Sequence, residues 1–341
     1  MAITYNSVDI RGVAAEPIIE ELLFENETIA KSLVSFETDV KAETIFTEAS
    51  AEATMQAYTS GVPTSAGDLN AFDTVVTPVK VQFYQEFDPN TLRFSRFKRD
   101  MPAGAWEIMS TEFERVVIGG LYAKQISLSA EHKFWNNATA ATKTAVAALT
   151  AGTAQTSVGA AEKTLVAATT AGLFDGVITK MIYNNSNASA TAGVGGRVKV
   201  AGTTITATNI KEEYDKVYAA IPAVVLAGNT APPYFYAPRS HKQLINIYNN
   251  NPANYKDAFS VSEDKTKYFF NGVEIVFVPI PENVIIAAKK EHIFWCTDLQ
   301  ADINTMQIDK IANNREDMFL KNNFTETAHI ANQKFNVLYV G

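Results

Sequence analysis

Along the first third of the chain, apolar and polar residues alternate in a way that only extended backbone satisfies. From Val34 to Thr47 one face carries Val34, Phe36, Val40, Ala42 and Phe46, and the other carries Ser35, Glu37, Asp39, Lys41 and Glu43. This period of two predicts a strand well beyond the usual ~5–6 residues. A second such run covers Val75–Phe87, with Val75, Val79, Val81, Phe83 and Phe87 on one face and Pro78 marking an edge strand. Residues 48–74, between the runs, are rich in Ala, Ser, Thr and Gly, with Gly61, Pro63 and Gly67 as breakers. The pattern fits a long two-stranded excursion with a flexible tip, or two strands of a larger intramolecular sheet. An isolated hairpin is marginal in water and its open edges invite pairing, so the first arrangement needs a neighbouring molecule.

Helical spacing appears on either side. Pro17 opens a candidate helix to Leu33, with Ile18, Leu22, Ile29 and Leu33 in step, after an extended arm over residues 1–16. The longest helical pattern runs from 103 to 135, where Trp106, Met109, Phe113, Val117, Leu121, Leu128 and Trp135 form one stripe. At ~1.5 Å per residue it would reach roughly 50 Å, the length of a scaffold that lies across a sheet. Gly119-Gly120 marks a site for a bend. Residues 138–172 hold 13 Ala and 9 Thr in 35 positions, which predicts an insertion or exposed surface segment of weak helix and loop. Beyond Gly172 the pattern is ordinary mixed α/β. Asn209 and Glu212 predict a capping box opening a helix that Pro222 stops. Ala231–Ala237 reads as a strand and Pro238–Tyr248 as a helix. Residues 268–278 read as a hairpin about Asn271-Gly272, and 284–288, 292–296 and 335–340 as short strands.

Charge and composition narrow the function. Twenty-nine Lys and Arg against 37 Asp and Glu leave a net charge of −8, which disfavours sequence-independent nucleic-acid binding by the whole chain. The single cysteine, Cys296, lies in the apolar run 293–296 and excludes an internal disulfide framework or a four-cysteine metal site. No basic and apolar leader opens the sequence, and no stretch approaches the ~18 apolar residues of a membrane span, so a soluble protein made in the cytoplasm is expected.

Catalytic patterns are missing from the sequence. There is no phosphate loop, nucleophile elbow or HExxH motif, and Gly193–Gly196 lacks the spacing of a dinucleotide fingerprint. His132, His241, His292 and His329 are scattered and read as structural or surface residues. Asp298 and Asp302 are the best carboxylate pair. On a helix they would share a face and could hold a divalent cation, but a solvated loop is the simpler reading. Lys80 reads as a solubilising edge charge. Asn26, Asn137, Asn184, Asn187 and Asn323 head Asn-x-Ser/Thr triplets, which a chain without a leader presents by chance. The expectation is therefore no enzyme, no catalytic, cofactor or metal residue, and no cofactor.

The order of these elements resembles the major capsid protein of tailed double-stranded DNA bacteriophages, with the Hong Kong 97-type fold. The resemblance rests on TPVKVQFYQEFDPNTLRFSRFKRD at 77–100, PAGAWEIMSTEFERVVIGGLYAKQISLSAEHKFW at 102–135, ITATNIKEEYDKVYAAIP at 205–222, FFNGVEIVFVPIPENVIIAAKKEHIFWCTDLQADIN at 269–304, and the closing FNVLYVG. It implies an α+β chain divided into an N-terminal arm at 1–33, an extended loop at 34–90 and a peripheral domain with a spine helix at 91–176. An α/β axial domain at 177–290 and a return to the peripheral domain at 291–341 complete it. It further implies self-assembly into pentamers and hexamers of a virion shell enclosing double-stranded DNA, each extended loop lying across a neighbour. A separate scaffolding protein, a portal and cement proteins would be partners, and the acidic wall would not grip phosphates. Some members cross-link through a lysine and an asparagine; no motif places those residues here. An encapsulin-like nanocompartment shell shares the fold. A surface adhesin would lack the long helix, and a hydrolase or transferase would need a convergent catalytic set that the sequence does not present.

Overall fold

Strands such as Val284–Ala288 are apolar at every position, which an extended segment tolerates only when both faces of its sheet are covered. The computed structural model describes residues 26–62, 64, 67–88, 114–184, 196–227, 232–252, 254, 258–299, 302–303, 305, 307–311 and 317–341. The chain runs through α1 (Glu27–Ala30), β1 (Ser35–Glu37), β2 (Thr44–Ala53), β3 (Gly67–Val76) and β4 (Val79–Phe87). A π-helix over Glu114–Tyr122 leads into α2 (Ala123–Trp135), followed by β5 (Ala138–Thr139), α3 (Ala140–Ala148), α4 (Ala160–Ala168), β6 (Ala171–Gly172) and α5 (Val177–Ile182). Next come β7 (Val198–Ala201), α6 (Ile210–Ala220), α7 (Ala223–Ala227), β8 (Tyr234–Pro238) and α8 (Arg239–Asn250). The remaining strands are β9 (Phe259–Val261), β10 (Tyr268–Phe270), β11 (Val273–Val278), β12 (Val284–Ala288), β13 (Ile293–Cys296), β14 (Gln307–Lys310), β15 (Met318–Ile330) and β16 (Val337–Val340).

A seven-stranded sheet has the order β7-β16-β12-β8-β11-β10-β9. Its successive residues feed two cores. Val284, Ile286, Tyr236, Leu338 and Val340 join one, and Ile285, Ala287, Phe235, Val337 and Tyr339 join the other. The second core is closed by Ile210, Tyr214 and Val217 of α6 and Ile245 of α8. The first is closed by Phe134 and Trp135 of α2, by α5, and by a five-stranded sheet. That sheet runs β1-β13-β15-β14, with β4 also on β15. The Phe134 and Trp295 rings stack at 4.3 Å and 6°, tying α2 to β13. Thr28 anchors the start of the described chain. Its N–H and Oγ1 donate to Glu131 Oε1 at 2.9 and 2.7 Å, its hydroxyl accepts from Trp135 Nε1 at 2.9 Å, and Arg239 Nη2 donates to Glu131 Oε2 at 3.0 Å.

Several local expectations are corrected. The run 34–47 is two strands, β1 and β2, because Asp39 takes a left-handed φ of 67° and its N–H donates to Asp298 O at 2.8 Å. The strand 75–87 divides at Thr77-Pro78. Its later part pairs with β15 rather than with the 34–47 run, and β2 pairs with β3, which lies in the segment read as a flexible tip. In the long helix the 114–122 part is π-helical around Gly119-Gly120, and 103–113 lies outside the described residues, as do 1–25. Asn209 stands at the N-cap of α6, as read, but its side chain makes no capping bond to the helix. Its Oδ1 accepts from Thr206 N–H at 2.7 Å and Thr206 Oγ1 at 2.9 Å instead. The Asn271-Gly272 hairpin forms as read, with φ of 47° and 81° at the turn.

The Ala/Thr-rich segment is helix and loop and largely exposed, as its composition predicts, but two short helices fix it to the body. It is a tandem repeat: AATKTAVAALTAG at 140–152 and AAEKTLVAATTAG at 160–172 match at ten of thirteen positions. Each copy makes one helix with the same burial pattern, and Val146 and Val166 enter the first core at equivalent places. The lysines act reciprocally: Lys143 Nζ donates to Thr169 O beyond the second helix, and Lys163 Nζ donates to Leu149 O beyond the first at 2.5 Å. These are the carbonyls that a helix end leaves unpaired. Glu162 is buried against Arg197, whose Nε and Nη2 lie 3.1 and 2.5 Å from its oxygens.

Candidate assembly interface

The β2–β3 hairpin projects as a two-stranded sheet in which, among the described residues, each strand has only the other as partner, so both outer edges are open. Period-two alternation gives it two unlike faces. One consists of Ile45, Thr47, Ala49 and Ala51 opposite Val75, Asp73, Ala71 and Leu69, and all eight residues are exposed. Ile45 is 60% and Leu69 81% exposed, and Met55, Tyr58 and Val62 beyond the strands are almost fully exposed. On the other face Glu48, Thr74 and Val76 are buried, because the hairpin root rests on the body.

Three contacts set that root. Phe46 stacks on His329 at 4.4 Å and meets Phe294 at 5.4 Å. Asn332 N–H donates to Glu48 Oε2 at 2.9 Å. Val40, Val76 and Cys296 form a small apolar cluster beside them. The hairpin thus leaves the body in a defined direction, yet its apolar outer face and two main-chain edges meet no other part of the described chain. Exposed apolar area of this kind marks an interaction surface.

The residues singled out for chemistry are not brought together. Cys296 is buried, and burial pushes its thiol up to about 12. His132 is exposed on α2. His241 is buried between Tyr214 OH at 3.1 Å and the Glu282 carbonyl at 2.9 Å, and burial pulls it down to about 4. His292 pairs with Asn336 Oδ1 at 2.8 Å, and burial lowers its pKa. His329 is pulled down to about 3, first by burial and then by the Lys180 charge.

Asp298 lies in a bend after β13 and Asp302 in a short 3-10 turn, neither on an α-helix. Asp298 N–H donates to Thr325 Oγ1, and Asp302 O accepts from Asn322 Nδ2. Among the described residues no group of three His, Cys, Asp or Glu side chains could hold a metal ion. Lys80 is exposed on β4, a strand whose pairing is to β15. Asn26 caps α1 by accepting from Ile29 N–H at 3.1 Å, Asn137 is buried, and Asn323 is exposed. Asn187 and Gly193–Gly195 lie outside the described residues. Sequence reasoning missed Glu326, which is fully buried with neither oxygen partnered among the described residues, and the donors Gln333 and Lys180 near the hairpin root. No local signal marks Glu326 or Gln333, because residues 318–336 carry polar side chains throughout.

No family model and no curated protein matches the sequence. Solved structures do match its fold. A structure of Mycobacterium phage Ogopogo aligns over 97% of this chain and 96% of its own with a TM-score of 0.57 at 10% identity. The capsid of a native GTA particle aligns over 97% and 95% with a TM-score of 0.56 at 10% identity. The mature capsid of bacteriophage PhiM1 aligns over 97% and 92% with a TM-score of 0.53 at 10% identity. The chain therefore shares a mixed α+β fold with these phage and GTA capsid structures. Among the described residues no helix is long and apolar enough to cross a membrane.

Proposed function

We propose that this chain is the shell-forming subunit of a tailed-phage virion with the Hong Kong 97-type fold, assembling as pentamers and hexamers around double-stranded DNA. The observation that carries this reading is the β2–β3 hairpin, whose open edges and exposed Ile45, Leu69 and Val75 lack a partner among the described residues of a chain with a capsid-like fold. In the assembly the hairpin lies across a neighbouring copy, which covers that face and supplies main-chain partners to its edges. Residues 1–33 would then be the arm and 34–90 the extended loop. The peripheral domain would take 91–176, with helix 114–135 as its spine, and 291–341. The axial domain would take 177–290. The role is structural rather than enzymatic. A separate scaffolding protein, a portal and cement proteins are the expected partners, and the net charge of −8 keeps the wall from gripping the genome.

Negative-stain electron microscopy with light scattering tests this on the wild-type chain and on Ile45→Asp/Leu69→Asp. The expected result is closed shells or five- and six-membered rings for the wild type. The variant should melt at the same temperature yet remain unassembled. A wild type that stays monomeric at high concentration with and without a co-expressed scaffold overturns the reading, and shells filled with protein rather than DNA point to a nanocompartment.

A further inference from the structure

Below the hairpin root lies a cavity of about 290 Å³, walled on one side by the end of β3 and the start of β4 and on the other by α5 and β15. Its polar lining is rich in donors. Gln333 is 1% exposed, and its orientation is set because Oε1 accepts from Gly196 N–H at 3.1 Å. Gln333 lines the cavity, and among the described residues its Nε2 has no hydrogen-bond partner. His329 is 3% exposed, and its Nε2, a donor in the tautomer that carries the proton there, also has no partner among the described residues. Lys180 Nζ gives one proton to Ala328 O at 2.5 Å and keeps two N–H groups. The carboxylate in the lining, Asp175, is engaged elsewhere: Oδ1 accepts from Thr139 N–H at 2.7 Å and Oδ2 from Thr142 Oγ1 at 2.6 Å.

Buried donors without acceptors are costly and are ordinarily matched. We propose that this cavity binds one small oxyanion, a phosphate or a carboxylate, held by Lys180, Gln333 and His329 at the root of the hairpin. A phosphate offers enough acceptor oxygens for all three groups at once, and the volume accommodates it with a few waters. Because Thr74 and Val76 form part of the wall and His329 carries Phe46 on its ring, the bound anion would also brace the hairpin against the body.

Calorimetric melting of the full chain at pH 7, in phosphate and in acetate against chloride at equal ionic strength, tests the site. At a hundredfold excess over its Kd a bound anion should raise the melting midpoint by about 4 °C if the chain unfolds as one unit. A rise in phosphate alone assigns the site to free phosphate, and an equal rise in acetate assigns it to carboxylates. Gln333→Glu keeps the acceptor for Gly196 but places a carboxylate oxygen where Nε2 lies. It should melt higher than wild type in chloride and ignore phosphate. Equilibrium dialysis of the wild type with labelled phosphate should find one site per chain, and Lys180→Gln should weaken it at least about tenfold. No difference between phosphate, acetate and chloride in the wild type, or an undiminished phosphate response in Gln333→Glu, overturns the proposal.

Discussion

The ion pair between Glu162 and Arg197 bolts the repeat segment to the body, and breaking it from one side should be expensive. The Arg197 side chain is 0% and that of Glu162 3% exposed. Glu162 accepts from Gly159 N–H at 2.6 Å and from two guanidinium nitrogens. Glu162→Gln preserves volume and a capping acceptor but strands the guanidinium in a dry site. Arg197→Met strands the carboxylate. Each should cost about 3–5 kcal/mol, the usual penalty for an orphaned buried charge. The double variant removes both charges and should cost at least about 2 kcal/mol less than the sum of the singles. Lys211–Asp215, an exposed i,i+4 pair, is the control, and Asp215→Asn should stay within about 0.5 kcal/mol. Urea unfolding followed by tryptophan fluorescence gives each value, since Trp135 and Trp295 lie in the core that Val146 and Val166 enter. A single-variant cost below about 1 kcal/mol, or simple additivity, would refute the reasoning, because the segment would then be an appendage rather than part of the core.

Other outcomes follow from groups already described. His241 ionises near 4 in the folded chain against 6.5 when free, so the unfolded state binds the extra proton between those values. His241 alone should lower stability by about 1.4 kcal/mol per pH unit as pH drops from 6.5 to about 4, on top of a fall of the same sign from His329, and His241→Gln should reduce the slope by that amount in urea titrations at stepped pH. Glu326 behaves oppositely. Burial raises its pKa well above the carboxylate range, so the folded state holds the proton longer and stability declines as pH rises above 4.5. Glu326→Gln should therefore gain stability relative to wild type at pH 8 and little at pH 4, and a variant with an unchanged pH profile counts against the burial argument. Gly272→Ala should cost about 1 kcal/mol in thermal unfolding although nothing lies within 4 Å of the added methyl, because φ is +81° there.

What the sequence disclosed and what it hid divide along physical lines. The Asn271-Gly272 hairpin and strand 284–288 were legible because turn chemistry and unbroken hydrophobicity are local signals. Strand β15, the longest described, was not. Its inward positions include Asn322 and Glu326 as well as Leu320, Phe324 and Ala328, so the apolar alternation breaks. Asn322 is tolerated inside because its Nδ2 reaches the carbonyls of Asp302, Ile303 and Thr305 at 2.8–3.0 Å, a tertiary fact that no local window contains. The repeat at 140–172 stood in the letters but was masked by its small side chains, since Val146, Val158 and Val166 are its only fully buried members of the first core and only Leu149 and Leu165 pack against them from the rim. The existence of an excursion was readable from alternation. Its span was not, because Asp39 and Pro78 both fall where the pattern still looks continuous.

The hairpin is spliced between β1 and β4, two strands of one five-stranded sheet, by residues 38–43 on one side and Thr77-Pro78 on the other. A segment pinned at both ends cannot swing like a tethered chain; it can only rock about the line through its two pins. Ten-residue strands give that rocking arm a reach of roughly 34 Å. A small tilt of the root at Phe46 is therefore magnified into a large displacement at the far end, and a load on the far end returns as torque on β13 and β15.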